Sequence, residues 1–126
     1  MDSGELNSRT KALAVNTIRF DEGLNRNPAS DIIGRQLIRS ATSVAANYRA
    51  ACRARSKADF ANKMGIIEEE ADETLFWPEM LIECKKASSD DLKSMMDEGE
   101  QLLRIFAASR MTAKHVLHQS NCRVSP

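Results

Sequence analysis

The stretch that decides the fold is IGRQLIRSATSVAANYRAA, residues 33–51. Its apolar residues recur every three or four positions, which is the spacing of one buried face on an α-helix. Serine and alanine fill much of the remainder, so a neighbouring helix can approach closely, although alanine's high helix propensity explains the composition equally well. The stretch therefore predicts a central helix. Its predicted inner face comprises Ile33, Leu37, Ala41, Val44, Tyr48 and Ala51.

Start and stop signals place three further helices around this one. Asp2 or Ser3 is a predicted cap for the first helix, which is expected to end at Asn27-Pro28 because the residue before a proline is pushed out of the helical region. Ser30 is predicted to cap the second helix and Ser56 the third, and Ser88–Asp91 begins the fourth. The first helix is expected to bury an apolar stripe, listed here in full: Leu6, Leu13, Phe20 and Leu24, widened by Val15 and Ile18.

Short loops between long helices require neighbouring helices to run antiparallel. The sequence therefore predicts an all-α, antiparallel up-down-up-down four-helix bundle over residues 1–116, followed by a mobile C-terminal tail over residues 117–126. Pro78 removes a backbone donor inside the third helix and is predicted to kink it. Gly65 and Gly99 also lie inside predicted helices, where close packing would explain them.

Charge excludes a generic polyanion-binding protein, because 18 basic and 18 acidic residues give a net charge of zero. The charge is nevertheless segregated along the chain. Residues 1–55 carry nine basic and five acidic residues, residues 56–100 carry five and thirteen, and residues 101–126 carry four and none. This distribution suits self-association or a charged partner, and it equally suits pairing between helices of one bundle.

No common catalytic or nucleotide-binding motif occurs in the chain, so we expect a protein that is not an enzyme and has no cofactor. His115, His118 and Cys122 have metal-ligand spacing but lack an evident fourth ligand, so no metal site is expected there. The alternative is a metal-dependent enzyme that uses the third-helix carboxylates at residues 68–73. Without a signal peptide or an apolar run long enough to span a bilayer, we expect a cytoplasmic protein with no membrane partner.

Two sets of charged residues stand out from the pattern. If the second and third helices pair about a turn near residue 55, Arg39 lies opposite Glu70 and Arg35 opposite Glu73 or Thr74. We expect these to be structural ion pairs, and we expect Arg39 and Asn47 to be largely buried with polar partners on the third helix or a neighbouring subunit, because an unpaired buried polar group is costly.

The second set is the basic cluster, which we define as Arg49, Arg53, Arg55 and Lys57. Basic side chains at the end of a helix complement its dipole, and this structural role is sufficient to explain them. The functional interpretation is a surface that contacts phosphates, more so if an oligomer repeats it around a rim. Tyr48, which precedes the cluster, is expected to be a core residue rather than a platform for bases.

Two segments carry a resemblance to a known family. Residues 34–48, GRQLIRSATSVAANY, resemble the signature of the four-helix bundle proteins of the 23S rRNA intervening-sequence type. Arg53–Phe60 resembles that family's basic-Ser-x-x-acidic-Phe turn, and Glu73 falls where the family has an acidic group. The resemblance covers about residues 5–115 and implies a bacterial cytosolic bundle that typically forms a ring-shaped homopentamer.

The same resemblance suggests a function. Related accessory proteins of diversity-generating retroelements work with a reverse transcriptase and nucleic acid; those relatives are strongly basic, whereas this chain is neutral. We therefore expect a non-enzymatic, homopentameric assembly protein whose partners are RNA, DNA or a nucleic-acid enzyme. The contact would lie on the basic cluster.

Overall fold

The computed structural model describes the backbone of residues 1–124 and the side chains of residues 1–118. Four α-helices follow one another in this range, and they pack as a four-helix bundle, which confirms the predicted all-α fold. Helix α4 runs through residue 116, the predicted end of the bundle domain; mobility of residues 117–126 stays a prediction. The helices are α1 (Ser3–Glu22), α2 (Pro28–Ala51), α3 (Lys57–Glu83) and α4 (Ser89–Val124).

Side-chain caps begin the helices where the sequence places polar residues. The Asp2 carboxylate accepts a hydrogen bond from the Glu5 backbone N–H at 2.8 Å, as a residue that caps α1 should. The Ser56 hydroxyl accepts from the backbone N–H of Asp59 at 3.0 Å, and this confirms Ser56 as the cap of α3. Each cap satisfies a backbone donor that the first turn of a helix leaves unpaired.

The start of α2 differs from the prediction. Asn27, not Ser30, is the capping residue: its side chain accepts from the Ser30 N–H at 3.0 Å, while its own N–H donates to the Ser30 hydroxyl at 3.2 Å. Pro28 then occupies the first helical position, where its missing N–H costs nothing and its fixed φ favours the helix. The proline therefore opens α2, and α1 has already ended at Glu22.

Contacts between α1 and α2 run in opposite order along the two helices. As α1 proceeds from Asn7 to Asp21, its contacts on α2 move back from Cys52 to Gly34, the order expected of antiparallel neighbours. Of the four helix pairs that are in contact, α1 and α4 have the smallest contact. A groove of about 1160 Å³ lies between these two helices. Arg9 of α1 crosses to α4 beside this groove, its Nε 2.9 Å from a carboxylate oxygen of Glu98.

The core confirms the inner face predicted for α2, since every residue of that face is buried. The stripe predicted for α1 is wrong in part, because Val15 is 43% exposed while Thr10 and Thr17 are fully buried. Both threonine hydroxyls donate to carbonyls one turn earlier on their own helix, Thr17 to Ala14 at 2.7 Å, so each fits an apolar interior without an unpaired polar atom.

Two internal features of α3 and α4 bear on the sequence predictions. Helix α3 continues through the buried Pro78 to Glu83, and the kink stays a prediction. At Gly99 an added Cβ would lie 3.2 Å from Leu75 Cδ2, which confirms close packing there. At Gly65 the nearest atom would be Arg110 Cδ at 3.7 Å, an ordinary contact, so close packing does not explain that glycine.

Candidate nucleic-acid interface

The turn between α2 and α3 fixes the position of the basic cluster. Helix α2 ends at Ala51, and the N–H groups of Arg53 and Ala54 donate to carbonyls of its last turn at 3.0 and 3.1 Å. Ser56 then caps α3, which begins at Lys57. The tight turn therefore brings cations from the end of one helix and the start of the next to one end of the bundle.

All four side chains of the basic cluster are exposed, and none of them forms an ion pair or side-chain hydrogen bond within the residues that the structure describes. The nearest carboxylate in sequence, Asp59, pairs instead with Lys63, whose Nζ lies 2.7 Å from Asp59 Oδ1. The hydrogen bond from Lys63 is the main cause that holds the pKa of Asp59 below its usual value. Asp59 also accepts a hydrogen bond from the backbone N–H of Arg55 at 3.4 Å, and the charge of Arg55 adds to the lowering of its pKa. No side chain of the cluster forms an ion pair in the described chain, so its cations remain accessible to a partner.

A groove of about 840 Å³ lies at this end of the bundle, and we call it the end groove. One side is formed by the end of α2, the turn and the start of α3. Its residues include Tyr48, Cys52, Arg55, Lys57 and Phe60. The structure thus brings Arg55 and Lys57 together on the groove, whereas Arg49 and Arg53 lie outside its lining.

The other side of the end groove is a stripe of α4. Small and apolar side chains recur there with helical spacing: Ala108, Ser109, Thr112, Ala113 and Val116. Sequence reasoning missed this groove, because α4 is about fifty residues away from the turn. The available signal was the absence of bulky residues along that stripe, which leaves room beside the turn.

Tyr48 forms part of the floor of the groove and belongs to the core, as predicted. It is 6% exposed, and its ring centroid lies 5.7 Å from that of Phe106. Burial raises the pKa of its hydroxyl to about 12, with a further contribution from a hydrogen bond with Cys52. Tyr48 therefore supports the groove from below, and Phe60, which is half-buried, is the aromatic ring nearer to solvent.

The ion pairs predicted between α2 and α3 are present only in part. Arg39 bonds both Glu70, with Nη1 and Oε2 3.1 Å apart, and Glu73. The prediction that Arg39 is buried is wrong, because its side chain is 46% exposed at the outer edge of the two helices. Arg35 is exposed and makes no ion pair among the described residues. Of its two predicted partners, Glu73 pairs with Arg39 and Thr74 donates a hydrogen bond to Ser40.

The prediction for Asn47 also needs correction. The residue is half-buried, and its amide donates to the carbonyl and the hydroxyl of Ser43, both at 2.9 Å. Its own helix therefore satisfies this amide, and no residue of α3 is involved.

The carboxylates of residues 68–73 are used largely by cations of other helices. Glu68 pairs with Arg110, and Glu70 and Glu73 pair with Arg39. Among residues 1–118 no three His, Cys, Asp or Glu side chains lie close enough together to hold a metal ion. Cys122, the third residue of the predicted histidine-cysteine motif, lies outside the residues whose side chains are described. Within the described chain, no helix is long and apolar enough to cross a membrane.

Comparison with known proteins adds to this geometry. A family model described as 23S rRNA-intervening sequence protein matches residues 5–108, which include the whole basic cluster. The chain belongs to this family. A solved structure with a similar fold is a protein of unknown function of the S23 ribosomal protein family from Bacteroides thetaiotaomicron, 27% identical, with a TM-score of 0.80. The match covers 88% of this chain and 99% of that one. No curated protein matches the sequence.

Proposed function

We propose that this member of the 23S rRNA-intervening sequence protein family is a non-enzymatic assembly protein. It forms a ring of identical bundles, expected to be a pentamer, and it binds nucleic acid, alone or together with a nucleic-acid enzyme, in the cytoplasm. The observation that carries the proposal is the basic cluster: four exposed cations at one end of the bundle, none of which forms an ion pair in the described chain.

Free cations at one surface favour phosphate contacts, because each contact releases counterions from the nucleic acid. A net charge of zero removes long-range attraction, so a single bundle is expected to bind only modestly. A ring would present one basic cluster per subunit, and several weak contacts on one strand multiply into a useful affinity. Assembly and binding therefore support each other in this proposal.

Exposed apolar side chains support self-association. Each helix offers at least one large hydrophobic residue to solvent, and burying such residues between copies is favourable. The exposed side chains include Val15, Ile32, Ile66, Phe76 and Met111. Light scattering of the purified protein at micromolar concentration should give the mass of an oligomer, and we expect the mass of five subunits. The mass of a monomer would contradict the ring.

The binding half of the proposal is tested by charge reversal. Arg53→Glu with Arg55→Glu should abolish the binding of RNA and DNA that the parent shows at low salt, while light scattering shows an unchanged assembly. Lys85→Glu with Lys86→Glu is the matched control, because both lysines are exposed in the loop that follows α3, a helix length away. Binding that survives the Arg53 and Arg55 reversal would reduce the cluster to a helix-end cap.

A further inference from the structure

The end groove combines a positively charged surface with a largely apolar one. Among its described lining residues, Arg55 and Lys57 are the charged ones, and both are positive. The rest of the lining is apolar or carries hydroxyl groups, apart from the thiol of Cys52. This combination fits an anion that has an uncharged, flat or apolar body attached to it. The volume lies within the range of roughly 300–1000 Å³ that is common for small-ligand sites.

The charge around the groove identifies the sign of its occupant. Arg55 and Lys57 lie on the turn side of the groove, and Arg49 and Arg53 lie close by in sequence, whereas the lining residues of α4 are uncharged. A second copy presenting the same turn would therefore meet like charge. An anionic partner meets charges of opposite sign on the turn side of the groove and an uncharged surface on the α4 side.

A single-stranded nucleic acid has the required chemistry. Its phosphates match the cations, and an unstacked base has apolar faces and a polar edge. The half-buried ring of Phe60 offers an aromatic surface to such a base. The hydroxyl of Ser109 makes no hydrogen bond within the described chain, and it can both donate to and accept from a base edge.

We propose that the end groove receives an unstacked base of a single-stranded nucleic acid, with the adjoining phosphates on Arg55 and Lys57. This rests on the proposed nucleic-acid function and specifies the form of the ligand. A duplex keeps its bases stacked and paired inside the helix, so it can reach only the cations. Each subunit therefore selects single strands over duplexes, with little dependence on sequence because every base has an apolar face.

The test compares three probes on the unaltered protein by fluorescence anisotropy at low salt. They are an oligothymidylate of about 15 nucleotides, a duplex of the same length, and a strand of the same length that lacks bases. The oligothymidylate should bind at least about fivefold more tightly than either of the others, since one stacked base contributes that much or more.

A variant that fills the groove distinguishes the contribution of the base to the binding affinity from that of the phosphates. Ala108→Leu with Thr112→Leu extends two exposed α4 side chains into the groove without changing any charge, and it should bring the oligothymidylate down to the affinity of the baseless strand. Ala12→Leu is the control, because Ala12 is exposed on α1 and lies outside the groove lining. If the double variant does not fold, Ala108→Leu alone carries the comparison.

The outcomes distinguish this inference from the proposed function. Equal affinity for all three probes, or filled-groove variants that still prefer the oligothymidylate, would overturn the base site and leave phosphate binding by the basic cluster standing. Failure of all three probes to bind would overturn the nucleic-acid function as well.

Discussion

The carboxylate of Asp21 on α1 lies directly over the α-carbon of Gly34 on α2. A Cβ added to Gly34 would be 2.0 Å from Asp21 Oδ1, far inside any van der Waals contact. Arg26 holds the same carboxylate, with its Nη2 3.0 Å from Asp21 Oδ2. The position of the Asp21 carboxylate between the two helices therefore depends on a residue without a side chain.

We predict that Gly34→Ala destabilises the protein by at most about 1 kcal/mol, because the new methyl group displaces the Asp21 carboxylate from Arg26, while alanine's better helix propensity offsets part of that loss. Urea unfolding followed by circular dichroism measures the change. Asp21→Ala with Gly34→Ala should recover part of the loss, since the carboxylate is then gone. A Gly34→Ala variant with parental stability would show that the Asp21 carboxylate moves aside without cost.

Gly65→Ala is the matched control and should change stability in the other direction. At this half-buried position of α3 the added methyl group meets only Arg110 Cδ at 3.7 Å, while alanine improves helix propensity by about 1 kcal/mol. The same unfolding experiment should show a higher midpoint. A loss of stability comparable to that of Gly34→Ala would contradict the difference in packing between the two sites.

The two cross-helix arginines should differ in their contribution to stability. Arg39 is half-exposed, and surface ion pairs contribute about 0 to 1 kcal/mol, so Arg39→Ala should lower the free energy of unfolding only slightly. The Arg9 side chain is 18% exposed, and it bonds both Glu98 and Gln101 across the contact between α1 and α4, the smallest of the helix contacts. Arg9→Ala should cost about 1 to 2 kcal/mol. Thermal unfolding of both variants tests this order, and the reverse order would contradict it.

Tyr48 is the chain's single tyrosine, so its ionisation can be followed by absorbance near 295 nm without ambiguity. Its pKa is raised to about 12 in the folded protein, first by burial and then by the hydrogen bond with Cys52. The unfolded state releases this proton near pH 10. The stabilising contribution is therefore complete below about pH 10 and is lost as the pH rises toward 12. A folded protein that titrates near pH 10 would place Tyr48 at the surface.

The sequence predicted those parts of the fold that depend on periodicity. The inner face of α2 was identified correctly because its apolar residues and alanines follow one stripe. Ser56 was identified correctly as a cap because a capping serine bonds the backbone N–H only three residues further along the chain. Val15 was wrongly included in the buried stripe because hydropathy ranks valine as apolar. The inner face of α1 includes Thr10 instead, whose hydroxyl donates to a carbonyl of its own helix.

The candidate site was predictable only where it is local in sequence. Charge density alone located the basic cluster on both sides of one turn. The end groove needs the α4 stripe at Ala108–Val116 to lie beside that turn, and only the packed bundle shows this. The pairing of α2 with α3 predicted correctly that Arg39 lies level with Glu70. It could not predict the burial of Arg39, because a long side chain can reach its partner along the outer surface of the two helices.

The salt dependence of single-strand binding tests the phosphate-binding role of the basic cluster most directly. For a single strand, each cation that contacts a phosphate contributes about 0.7 to the slope of log Kobs against log salt concentration. We predict a steep slope for the parent and, for Arg53→Gln with Arg55→Gln, a slope that is shallower by about 1.4 for each engaged subunit, together with weaker binding. Lys85→Gln with Lys86→Gln should leave the slope unchanged. A parent slope near zero, or one that the Arg53 and Arg55 substitutions do not alter, would contradict a phosphate-binding role for the basic cluster.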